Sequence, residues 1–204
     1  MTTWITLLLI VQLIPVNPSD FTGQIIYTVD HPLGKGEIEL RISTSEIVEK
    51  WKGNWCDLLY PSCPERAYAF RKKEEAAACR SWKTTPLGLT EKWEILSVCP
   101  DSTAGKRWIS GFICTPYTVN YEEKRDEVGK QLLRETLWIA DQLPVKAPAS
   151  LVWHPLIANG AGRIALRLDR HYSTILTDGE VYSGTAVVEA SRISIERLKG
   201  RRPH

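Results

Sequence analysis

The chain has 204 residues, 43% of them hydrophobic and 25% charged, with a formal net charge of +2. That length and balance suit one globular domain whose core needs neither metal nor disulfide in order to fold. The charge is too small to imply nucleic acid by itself, while eight tryptophans ask for cores or interfaces that can pair the indole N–H.

Residues 4–14 form an apolar run. It is shorter than the ~20 residues a membrane-spanning helix needs and matches the apolar core of a secretory signal. No Lys or Arg precedes it, and Asn17-Pro18-Ser19 is a poor cleavage candidate. Residues 1–19 are read as a signal peptide or hydrophobic N-terminal segment, 20–198 as one domain, and 199–204 as a basic tail. A Pro/Ala stretch near 144–150 marks a point of subdivision as the alternative.

Residues 24–29 and 37–42 read as strands around a Pro/Gly turn, and together as a hairpin. Ser43 and Glu46 have capping-box spacing. They predict a short helix that turns Ile47, Val48 and Trp51 inward and stops at Gly53. Residues 65–79, rich in Ala, Glu, Lys and Arg, fit a second helix or a strand. Residues 92–98 and 106–114 read as strands with turn chemistry between them.

The longest predicted element is an amphipathic helix over 121–143. Val128, Leu132, Leu133, Ile139, Ala140 and Leu143 recur at three- and four-residue steps, with acidic residues early and Pro144 at the end. Beyond it lie two hairpins. One joins 151–157 to 163–169 through a Gly-rich turn, and the other closes on Asp178-Gly179. The expected class is therefore α+β: antiparallel strands and hairpins, one long amphipathic helix and one or two short ones. Within the second hairpin, residues 177–185 (TDGEVYSGT) resemble a segment of the semaphorin sema domain. Sema domains are far longer and have a cysteine pattern around that segment which is absent here, so nothing is carried over.

Five cysteines, Cys56, Cys63, Cys79, Cys99 and Cys114, lie mid-chain with no C-x-x-C. They are candidates for disulfides in an oxidising compartment, with one left over. None of the four histidines has a metal-pair spacing, and no nucleophile elbow, P-loop or dinucleotide fingerprint occurs. No cofactor or metal is expected. The leading expectation is a non-enzymatic interaction or structural protein routed through the secretory pathway, secreted or bound to the ER or another membrane. A viral accessory or envelope-associated protein fits that description. It would bind a protein partner through a surface that includes Trp82, Trp108, Arg71, Lys72 and Lys73. The alternative is a cytoplasmic matrix-type protein that touches membrane through residues 4–14 and nucleic acid through the basic clusters. The third is a hydrolase in which Asp169 orients His171.

Overall fold

The computed structural model describes residues 21–54, 65–69, 93–125, 129–145, 154–160 and 162–196. Its elements are the strands β1 (Gly23–His31), β2 (Gly34–Ile42), β3 (Glu46–Gly53), β4 (Glu65–Ala69), β5 (Trp93–Pro100), β6 (Arg107–Ile109), β7 (Phe112–Arg125), β8 (Gly129–Pro144), β9 (Arg163–Ile175) and β10 (Val181–Ile195). A 3-10 helix, Pro155–Gly160, lies between β8 and β9. The strands form one antiparallel sheet in the order β4-β3-β2-β1-β10-β9-β8-β7-β5, with β6 beside β7 on the margin that also carries β5.

The class is thus nearly all β and not α+β. Of the expected helix over 121–143, residues 121–125 end β7 and 129–143 are all but the last residue of β8, paired as far as Arg125↔Gly129, while 126–128, with Val128, lie outside the described residues. The side chains buried in β8 explain the misreading. Leu133, Glu135 and Leu137 alternate inward as a strand requires, but one of the three is a carboxylate. Trp138, Ile139 and Ala140 are then all buried, because both faces of the sheet are covered there. An apolar gap followed by an apolar run imitates helical spacing.

The short helix expected after Ser43 is β3. Ser43 Oγ does accept the Glu46 N–H at 3.0 Å, as a helix cap would. Here that bond closes the turn between β2 and β3, where Ser43 N–H also donates to the Glu46 carbonyl at 2.9 Å. Ile47, Glu49 and Trp51 point inward with period two, again with a carboxylate in the middle of the pattern. Residues 65–69 are strand, and 70–79 lie outside the described residues. The strand expected at 106–114 breaks at Ser110-Gly111 into β6 and β7. The described part of 151–157 enters the 3-10 helix instead of forming a strand.

Residues 163–169 and 173–176, expected as strands of two separate hairpins, are one strand, β9, while the hairpin expected of 24–29 with 37–42 holds. β1 pairs with β2, and β9 with β10 around Asp178-Gly179. The turn type differs from the two-residue form. Gly179 takes φ +88° and its N–H donates to the Leu176 carbonyl at 3.0 Å, which makes a type I turn with a glycine bulge.

The sheet folds onto itself as a sandwich does. Four steps separate β1 from β7, about 19 Å in a flat sheet. Yet Tyr27 on β1 lies within the electrostatic reach of Cys114 on β7, and its hydroxyl donates to the Ala165 carbonyl on β9 at 3.1 Å. The strands that bend are long, up to 16 residues in β8. Bulges between Ile26 and Tyr27, Ile95 and Ser97, and Trp138 and Ile139 supply curvature. Inside lie Ile25, Tyr27, Ile38, Leu40, Ile47 and Trp51 from one half, and Val119, Leu137, Ile164 and Leu168 from the other. Each buried Ile or Leu contributes about 1.5–3 kcal/mol.

Candidate functional site

Register places side chains from distant strands in rows across the sheet. Asn120, Arg134 and His171 are successive partners, as are Thr118, Thr136 and Asp169. One further row joins Trp138, Arg167 and Glu189. All of these lie on the face opposite Leu133, Glu135 and Leu137, since the side-chain period is two.

The last row is a closed ionic network. Arg167 donates to Asp169 Oδ1 at 2.9 Å and 2.7 Å and also bonds Glu189. Trp138 Nε1 donates to Asp169 Oδ2 at 2.9 Å, and the Arg107 guanidinium lies 4.5 Å from the centre of the Trp138 ring. Both Asp169 oxygens are therefore taken by Arg167 and Trp138. His171 sits two residues along β9 on the same face, against Arg134, and no hydrogen bond between Asp169 and His171 is seen.

Arg134 and His171 open onto a cleft of about 510 Å³, lined also by Leu96, Ser97, Asn120, Leu132 and Ser173. That volume is within the ~300–1,000 Å³ of small-molecule sites. Asn120 Nδ2 donates to Ser97 Oγ at 2.7 Å. Asp101 acts electrostatically on Arg134, but its carboxylate caps its own turn, accepting from Thr103 Oγ1 at 2.7 Å and the Ala104 N–H at 3.2 Å. The Thr103 hydroxyl holds this carboxyl below the ordinary range.

Two further polar groups are buried in the interior. Glu49 on β3 meets His154, which precedes the 3-10 helix, with Nε2 3.1 Å from Oε2. Glu135 on β8 accepts from Tyr121 at 3.0 Å and from two nitrogens of Arg170. Burial, with the Arg170 charge added, lowers the affinity of His31 for a proton. Burial, helped by the Glu49 carboxylate, pushes the Tyr27 phenol above its usual range. The helices expected over 121–143 and after Ser43 gave Glu135 and Glu49 no role. A carboxylate within a period-two apolar pattern, as in Leu133-x-Glu135-x-Leu137, was the signal available.

Of the residues proposed from sequence, Trp108 is 73% exposed on β6, Cys99 is exposed on β5, and Cys114 is buried on β7. The two cysteines are free thiols. Trp82, Arg71, Lys72, Lys73, Cys56, Cys63 and Cys79 lie outside the described residues. Burial pushes the Cys114 thiol up to about 11, with the Asp141 carboxylate adding to it. The fold thus favours the neutral thiol. That preference is fully present below the unfolded thiol pKa of about 8.5 and is lost as pH rises through the folded value. A brief iodoacetamide pulse at about pH 8 should therefore label Cys99 while Cys114 takes up less than roughly a tenth as much, read by peptide mass spectrometry. Equal labelling would refute the burial of Cys114.

Among the described residues, no group of three or more His, Cys, Asp or Glu side chains is arranged to hold a metal ion. No helix among them is long and apolar enough to cross a membrane. Comparison with protein-family models, curated proteins and solved structures finds no match.

Proposed function

We propose that the protein is a non-enzymatic interaction protein that binds a protein partner through the outer margin of its sheet, with Trp108 as the anchor at one end. One observation carries this: an exposed apolar strip runs along β6 and β5. Trp108 is opposite Ile113 on β7, Pro100 opposite Tyr117, and Val98 opposite Val119. Those β7 positions are separated by even numbers of residues, so the three side chains share a face. Trp108 is 73% and Val98 55% exposed.

An indole this open to water loses the burial that usually stabilises it, and aromatic side chains are enriched among binding hot spots. The strip also lies on a sheet edge. Among the described residues β5 pairs with β7 alone, which leaves outward N–H and C=O groups able to accept a further strand. The partner that suits this margin offers an extended segment for the edge and an apolar pocket for Trp108.

The test uses a photo-crosslinking residue at position 100, with one at Leu33 in the distant β1–β2 turn as control. The expected result is a partner captured from position 100 and not from position 33. Its affinity should fall about tenfold or more in both Trp108→Ala and Val98→Asp, with unchanged melting. Unchanged affinity in both variants, or identical capture from both positions, would remove the proposal.

A further inference from the structure

The cleft on the opposite face of the sheet has chemistry of its own. Five arginines of the described structure are engaged: Arg41 with Glu39, Arg163 with Asp141, Arg167 with Asp169 and Glu189, Arg170 with Glu135, and Arg107 over Trp138. Arg134 meets no carboxylate among the described residues, although it sits in the middle of a four-strand row. Asp101, whose charge acts on it, has its Oδ1 filled by Thr103 and Ala104.

Other donors converge on the same space. Ser97 Oγ accepts from Asn120, so its own hydrogen is free to point away from that bond. The imidazole of His171, the cross-strand partner of Arg134, carries at least one N–H. Leu96 and Leu132 supply an apolar wall to the same cleft. A guanidinium fork, a hydroxyl and an imidazole around one opening match the oxygens of a carboxylate or phosphate, and the two leucines match a short apolar body.

We infer that this cleft binds a small organic anion, with its carboxylate or phosphate head on Arg134, Ser97 and His171 and its apolar body against Leu96 and Leu132. The site lies on the face away from Trp108, so it stands independently of the margin that meets a protein partner.

The test is a titration of the isotope-labelled full chain with phenyl phosphate, benzoate, inorganic phosphate and benzyl alcohol, followed by amide chemical shifts. Phenyl phosphate or benzoate should move the amides of Ser97, Asn120, Arg134 and His171 and saturate at millimolar concentration. The stronger of the two identifies the head group. Inorganic phosphate, without the apolar body, should bind at least about tenfold more weakly. Benzyl alcohol, without the charge, should leave these amides in place. Arg134→Gln should weaken the best ligand at least about tenfold, whereas Lys106→Gln in the exposed β5–β6 turn should not. Arg134 is exposed, so the variant is expected to keep the parent spectrum elsewhere. Absence of saturable shifts with either anion, or equal affinity in Arg134→Gln, overturns the assignment.

Discussion

Alanine in place of His154 is expected to lower the stability of the fold by about 3–5 kcal/mol in a urea titration. Glu49 is fully buried, and His154 Nε2 is 3.1 Å from its Oε2. The other ring nitrogen settles which atom donates. His154 Nδ1 accepts the Leu156 N–H at 3.2 Å, so it has no hydrogen of its own, and Nε2–H donates to the carboxylate. In this geometry the contact is a hydrogen bond to a buried carboxylate.

Glu49 Oε1 has no hydrogen-bond partner among the described residues. Removing the ring would strip the second oxygen too and leave an uncompensated carboxylate beside a new cavity. The same bond ties β3, in one half of the folded sheet, to the chain leading into β9 in the other. A double variant, Glu49→Met with His154→Leu, removes both polar partners together and should recover most of the loss. A cost below about 1 kcal/mol for His154→Ala would show that this bond does not hold the two halves together.

Arg170→Met is expected to cost a comparable amount, about 3–5 kcal/mol, read in the same titration. Glu135 is fully buried and directly opposite Arg170, whose Nε donates to Oε1 at 2.8 Å while Nη2 bonds the same oxygen. Methionine fills the space of the aliphatic stem but, among the described residues, leaves the carboxylate with the Tyr121 hydroxyl alone, 3.0 Å away. Arg170→Lys should fall between, because an ammonium keeps the charge but not the two-nitrogen fork. A loss for Arg170→Met no larger than that of a typical exposed ion pair, up to about 1 kcal/mol, would contradict the buried network.

These two acids also explain where sequence patterning failed. β1, β2 and the turn between β9 and β10 were legible because the inward positions of β1 and β2 are apolar and the turns carry Pro, Gly or Asp-Gly. β3 and β8 were not, because Glu49 and Glu135 occupy inward positions that a pattern argument assigns to water. Ser43 deepened the error in β3, since a hydroxyl that binds the N–H three residues on serves a helix cap and a hairpin turn equally well. In β8 the buried run at Trp138, Ile139 and Ala140 depends on cover from both sides, which no local spacing records.

The candidate sites divide the same way. Trp108 could be singled out from its residue type and its basic neighbours, and it is exposed on the sheet margin. Its strip with Pro100 and Val98 could not, because it depends on how β5 and β6 share one side of β7. Asp169 and His171 looked coupled because they are two residues apart, but cross-strand neighbours outcompeted that proximity. Asp169 went to Arg167 and Trp138, and His171 came to lie beside Arg134. Residue types, turn chemistry and strand alternation are local properties, so the chain alone specified the β1–β2 hairpin and the Asp178-Gly179 turn. Which donors meet depends on register between strands more than thirty residues apart, as for Glu135 with Arg170. Folding of the sheet onto itself settled that, by making an inward carboxylate tolerable only where a partner from another strand could reach it.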